Sequence, residues 1–125
     1  MTPIISKSDY KKIIHILSNL SPNQKTSEAK QLIEELAKSK IVSDKSINDN
    51  VIRINSEIEV EVLNSNQKLY FTLTVPSESN VIQKKISILS GMGVALIGLK
   101  EGTEVEWRLP GGLMKLKVLK VNNPF

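Results

Sequence analysis

Residues 86–121 read ISILSGMGVALIGLKEGTEVEWRLPGGLMKLKVLKV, and the pattern of this stretch decides the fold. It parses as strand, loop, short helix, tight turn, strand, two-residue turn, strand. Ser90 can cap a helix whose body runs over residues 92–97, and Gly98 falls where a left-handed C-terminal residue is wanted. Residues 103–109 alternate, with Val105, Trp107 and Leu109 on one face and Glu104, Glu106 and Arg108 on the other, as a half-buried strand does. Opposite residues of a hairpin share a face. Pairing Trp107 with Leu116 and Val105 with Val118 satisfies that rule and leaves Gly111 and Gly112 as turn residues. After Val118 the alternation slips to Leu119 and Val121, so a bulge is expected near Val118 and Leu119.

Ser90, Gly93, Ala95, Leu96, Ile97, Gly98, Gly102, Thr103, Val105, Pro110 and Gly112 together carry a resemblance. The stretch resembles the C-terminal domain of the Gre-type (GreA/GreB) transcript elongation factors. Gly91 stands where that family often has proline, and Val94 where it often has arginine. The branch that includes the regulator of nucleoside diphosphate kinase (Rnk) is closer. It shares Gly98-Leu99, Trp107, Leu109-Pro110-Gly111-Gly112, and Asn55-Ser56 before an alternating strand. The resemblance covers about residues 51–121 and implies an FKBP-like arrangement.

Working outward, residues 51–54 have the composition of a short strand. Ile58, Val60 and Val62 alternate with Glu57, Glu59 and Glu61, and Leu69, Phe71, Leu73 and Val75 alternate with polar residues and Tyr70. Pairing Val62 with Leu69 and Val60 with Phe71 makes a hairpin turning at Ser65-Asn66. Residues 76–83 read as a loop with a helical turn, and residues 84–88 as a strand. The expected class is α+β: an FKBP-like, mostly antiparallel sheet wrapped on one short helix, preceded by a short N-terminal antiparallel helical hairpin.

That hairpin occupies residues 1–40. Ser6 and Asp9 have capping-box spacing. Tyr10, Ile13, Ile14, Leu17 and Leu20 follow on one helical face. Residues 21–25 break the chain, and Thr26 or Ser27 caps a second helix with Ala29, Leu32, Ile33, Leu36 and Ala37 as its stripe. The two stripes are expected to zip together. Residues 41–50 form a polar linker anchored by Ile41, Val42 and Ile47, and residues 51–125 form the Gre C-terminal-like domain.

Composition narrows function. The net charge is +4, split as eight Lys/Arg against six Asp/Glu over residues 1–50 and nine against seven over residues 51–125. Interleaved charges of this kind suit a solvated surface better than a nucleic-acid groove, so no sequence-specific nucleic-acid contact is expected. No cysteine is present, which removes disulfides and thiolate chemistry and fits a reducing cytoplasm. No signal peptide and no run long enough to cross a membrane is visible. His15 is the only histidine. It sits beside apolar positions of the first helix, so neither a metal site nor a Ser-His-Asp set is expected. The acidic stripe of Glu57, Glu59 and Glu61 reads as an exposed face balanced by lysines. Gly91, Gly93 and Gly98 do not have the spacing of a nucleotide-binding loop.

In the Gre factors, acidic residues at the tip of a long coiled coil help hold a magnesium ion in the polymerase secondary channel for transcript cleavage. Magnesium requires hard oxygen ligands. Residues 19–26, the tip here, hold no Asp or Glu, and the arms rise only about 25 Å at about 1.5 Å per residue. The resemblance therefore implies a monomeric, cytoplasmic RNA polymerase-binding regulator that docks at the secondary-channel rim without stimulating cleavage, and that reaches DNA only indirectly. The docking residues it implies are Leu89, Ser90, Gly91, Met92, Gly93 and Val94, with Met92 as an adaptable apolar contact. Neither cofactor nor metal is expected, and the chain is read as a non-enzyme. The alternative is a non-catalytic interaction module of the same fold with another partner, linked to nucleoside diphosphate kinase. A prolyl isomerase rests on fold analogy alone. Tyr70 and Phe71 point to opposite faces, which is a poor start for an aromatic-lined pocket.

Overall fold

The computed structural model describes residues 2–109 and 111–124. Its central feature is a five-stranded sheet. The strands are β3 (Glu57–Val62), β4 (Gln67–Thr74), β5 (Lys85–Ser87), β6 (Glu104–Leu109) and β7 (Gly112–Asn122), in the order β5-β4-β3-β7-β6. Three of the ladders are antiparallel, and β4–β5 is parallel. The alternation in sequence becomes an apolar face of Ile58, Val60, Val62, Leu73, Leu116, Val118 and Val121, all buried. Val105 and Trp107 are half-buried against the same cluster. The mixed-charge residues take the opposite face. Glu61 sits between Lys68 and Lys117, and Glu59 between Tyr70 and Lys120.

Both hairpin registers differ from expectation by two residues. Val105 pairs with Leu116 and Trp107 with Met114, and the ladder ends at Leu109 with Gly112. Gly112 is therefore a strand end, not a turn residue, and Pro110 lies outside the described residues. Val60 pairs with Leu69 and Ile58 with Phe71. The link between them is the four-residue turn 63–66, in which Asn66 takes φ +58. A shift of two keeps every side chain on its face, so the apolar pattern fits either register. The bulge does fall where expected. Glu59 pairs with Lys120 and Val60 with Val118, leaving Leu119 as the extra residue.

The helix α3 (Gly91–Leu96) packs under the sheet with Val94, Ala95 and Leu96 buried. Gly98 follows it at φ +82, and a Cβ there would come within 2.8 Å of Pro3 Cβ and 3.0 Å of the Ile4 nitrogen. That close approach belongs to a small second sheet. β1 (Ile4–Ser6) runs parallel to β2 (Lys40–Val42), and the Ile4 N–H donates to the Gly98 carbonyl at 2.9 Å. The sequence pattern places Ile41 and Val42 in a linker and gives no strand at Ile4. Three-residue strands are too short to show a period.

Between β1 and β2 lie α1 (Lys7–Ser18) and α2 (Ser27–Lys38), capped by Ser6 and Thr26. Their stripes are narrower than expected. Ile13, Ala29, Leu32 and Leu36 are buried, whereas Ile14, Ile33 and Ala37 are exposed. α2 packs on α3, and α1 lies against β1 and β2. Ile13, Leu32 and Leu36 join the same buried cluster as Ile52, Ile58 and Leu96. The helices thus spend their apolar faces on a shared core, α2 on α3 and α1 on the small sheet, and the two stripes do not zip together as expected. Residues 51–54, expected as a strand, make only an isolated bridge from Val51 to Lys100. Two further hydrogen bonds extend it: Ile52 N–H to the Leu99 carbonyl and Gly98 N–H to the Ile52 carbonyl.

Candidate partner-binding turn

The turn that joins β5 to α3 is fixed by hydroxyls. Ser90 Oγ accepts the Gly93 N–H at 3.0 Å and donates to the Ser87 carbonyl at 2.7 Å, while Ser87 Oγ accepts the Leu89 N–H at 2.9 Å. Gly93 has no room for a side chain, since a Cβ would lie 2.2 Å from the Ser87 carbonyl oxygen. Serine at the cap and glycine three residues on follow directly from this packing.

The six expected docking residues divide into two layers. Leu89, Ser90, Gly91 and Met92 are half-buried and reach the surface, with Leu89 and Met92 resting on the core cluster. Gly93 is buried and Val94 is 1% exposed, so both lie beneath the turn. The departure at Val94 therefore adds core packing at this position. The surface layer is uncharged and, apart from Ser90, apolar, and it can offer a partner two adaptable side chains and an accessible glycine backbone.

The helical tip is solvated. Residues 19–26 are exposed apart from half-buried Leu20. The acid nearest the tip is engaged elsewhere. Glu28 is turned onto the start of α2, where its own backbone amide and the Ser27 hydroxyl hold its carboxyl below the usual carboxylate range. Asp9 is 4% exposed at the far end of α1. Its carboxylate does not close the expected capping box. It accepts the Ile54 N–H at 3.1 Å and lies 3.8 Å from Arg53 Nε, and burial raises its pKa above 3.8 against the pull of that amide and of Arg53. Arg53 Nη2 also approaches Ser6 Oγ at 3.4 Å and Asp44 at 3.9 Å. This network fastens the start of α1 to the crossing segment, and nothing in local sequence announces it.

His15 is exposed on α1 beside the Asn19 amide. Among the described residues no group of His, Asp or Glu is arranged to hold a metal ion, and no helix is long and apolar enough to cross a membrane.

This fold recurs in known proteins. Residues 47–123 match the family described as transcription elongation factor, GreA/GreB, C-terminal. The transcription elongation factor GreA of Syntrophus aciditrophicus is 32% identical over 91 residues, which are 73% of this chain and 56% of that protein. The regulator of nucleoside diphosphate kinase of Escherichia coli is 29% identical over 94 residues, 74% of this chain and 69% of that one. The chain thus spans little more than half the length of the GreA relative. A solved GreA/GreB elongation factor from Nitrosomonas europaea superposes with a TM-score of 0.79 at 31% identity, covering 98% of this chain and 99% of that one. The chain belongs to the GreA/GreB transcription elongation factor family. These relatives are named as transcription factors and regulators, not as enzymes.

Proposed function

We propose that this chain is an RNA polymerase-binding transcription regulator that docks at the secondary-channel rim through Leu89, Ser90, Gly91 and Met92, with Gly93 and Val94 holding the turn from beneath. On this reading the sheet and α3 form an FKBP-like docking body, and the protein works in the cytoplasm without a cofactor. It does not stimulate transcript cleavage. One observation carries that last point: residues 19–26, the hairpin tip, hold no carboxylate, and the nearest acid, Glu28, is turned onto the start of α2. A tip without carboxylates lacks the anionic oxygens by which proteins usually hold magnesium. Arms of 12 residues each also rise only about 18 Å.

The test is binding to core RNA polymerase with a GreA factor as competitor, followed by a cleavage assay on a backtracked complex. Competition without cleavage is expected. Met92→Asp should lower polymerase affinity about tenfold or more while leaving the fold intact, because charging an apolar contact costs at least the lost burial. Unchanged affinity in a folded Met92→Asp protein would remove this turn as the contact. The likeness to the regulator of nucleoside diphosphate kinase supports a second reading, in which the same turn serves another partner. Absence of polymerase binding at micromolar concentration would favour it.

A further inference from the structure

An apolar hollow of about 410 Å³ runs between the second half of α1 and the segment that follows β4. Lys12, His15, Ile16, Asn19 and Leu20 line one wall, and Val75 and Pro76 line the other. The first wall is periodic. Positions 12, 15, 16, 19 and 20 are spaced i, i+3, i+4, i+7 and i+8, so they form one stripe along the helix and past its C-cap. Ile16, Leu20, Val75 and Pro76 are half-buried and make an aliphatic floor, whereas Lys12, His15 and Asn19 are exposed at the rim.

The charge around this hollow has one sign. No carboxylate lines it, and Lys12 is its formally charged side chain. The exposed charges of α1 are Lys7, Lys11 and Lys12, and the acid of that helix, Asp9, is buried. Residues 19–26, which follow, carry Lys25 and no acid. Two acids stand farther off, and both are engaged. Asp44 accepts the Ser8 N–H at 3.1 Å at the opposite end of α1. Glu78, past the second wall, accepts from the Thr74 hydroxyl at 3.3 Å.

From this arrangement we infer that the hollow receives an amphipathic helix of another protein, which sets aliphatic side chains on Ile16, Leu20, Val75 and Pro76 and a carboxylate against Lys12. A stripe at helical spacing packs against another of the same spacing, ridge into groove. From position 12 to position 20 the stripe is about 12 Å long, which seats about two turns of the incoming helix. The incoming helix is acidic because a basic one would meet Lys12 and Lys11 and find no carboxylate in the lining. A nucleic acid is the poorer match, since the floor is aliphatic and offers no aromatic face on which a base could stack. The inference is independent of the proposed docking turn, because none of Leu89, Ser90, Gly91 and Met92 lines the hollow.

The test uses two synthetic helical peptides of about 14 residues. Both carry leucine at i, i+4 and i+7. One is flanked by glutamates, and the other has lysine at each of those flanking positions. Each is titrated into the full chain to about 1 mM and followed by amide chemical shifts. The glutamate peptide should bind with a dissociation constant below about 1 mM and shift residues 12–20 and 75–77. The lysine peptide should bind about three- to tenfold more weakly. Lys12→Glu alters an exposed residue and should reverse the preference between the two peptides. Leu20 lies outside the core cluster, so Leu20→Asp should keep the parent's melt while weakening the glutamate peptide about tenfold or more. Shifts centred elsewhere, equal affinity for both peptides, or a preference unmoved by Lys12→Glu would each overturn the inference. So would no binding of the glutamate peptide at the highest concentration, or tighter binding of a single-stranded oligonucleotide at the same residues.

Discussion

Gly93 shows how a single missing carbon shapes the turn before α3. A Cβ on this residue would meet the Ser87 carbonyl oxygen at 2.2 Å and Ile88 Cα at 3.0 Å, both backbone atoms that cannot step aside cheaply. Gly93→Ala should therefore cost about 3 kcal/mol, the upper range of overpacking effects. Gly111→Ala, with nothing within 4 Å, should cost less than about 0.5 kcal/mol. Urea midpoints at constant slope compare the two, and equal midpoints would mean that β5 yields to the new methyl. Asp9 poses a different problem, that of a buried charge. Its carboxyl titrates above 3.8 in the folded chain, chiefly because burial disfavours the anion. The stability it contributes is therefore complete below 3.8 and is lost as pH rises through the folded value. Relative to an Asp9→Asn variant, the parent should lose stability with rising pH across that window. A parent that instead gained stability there would show that Arg53 and the Ile54 amide outweigh burial. The caps at Ser6 and Ser90 were legible in the sequence because a cap is a local event. Asp9 was not, since its partner Ile54 is 45 residues away.

At the level of elements, alternation told which face each strand buries and could not tell how far each hairpin runs before turning. Both ladders sit two residues from the pairing that the shortest turn would give, with every apolar residue still facing inward. Turn chemistry decided the matter. A two-residue turn at Ser65-Asn66 of either favoured type would demand positive φ at Ser65, and of the two only Asn66 adopts it, at +58. Ser65 instead donates to the Val62 carbonyl at 3.2 Å, which opens the link to four residues. Asn66→Val should cost about 1 kcal/mol, because a branched side chain resists that conformation. Cross-strand NOEs between Val105 and Leu116, and between Val60 and Leu69, would verify the registers. NOEs joining Trp107 to Leu116 would restore the tighter turn. The bulge at Leu119 was legible because it breaks the alternation, and a register shift of two was not because it preserves it. The same logic explains the candidate site. Its motif named the six residues from Leu89 to Val94, and only packing against Ser87 and the core showed that Gly93 and Val94 face inward.

The whole molecule raises the question of whether the helical residues 1–40 and the sheet residues 51–125 are separate units, as a linker at residues 41–50 suggested. The core argues for cooperation between them. Leu32 of α2 is 0% exposed and shares a cluster with Ile52, Ile58, Leu73 and Leu96, while β1 hangs on Gly98 and Asp9 on the Ile54 amide. Leu32→Ala removes three carbons from that shared core and should cost about 2–5 kcal/mol. If the helices fold as an independent arm, the loss is confined to α1 and α2, and amide exchange in β3 and β4 is untouched. If they are part of one core, protection falls in β3, β4 and α2 together, by a similar factor, since the slowest amides exchange only through global opening. Hydrogen exchange on the parent and the variant distinguishes the two, and concerted loss is the expected result. It bears on function as well. Helices whose apolar stripes are spent on the shared core cannot swing out as a long probe, so their reach stays at roughly 18 Å for 12 residues. Placing carboxylates at the tip, as in Asn23→Asp with Gln24→Glu, should then fail to create cleavage activity even where polymerase binding is intact. Cleavage by that variant would mean that the tip reaches the metal site, and that its missing acids alone had kept the protein silent.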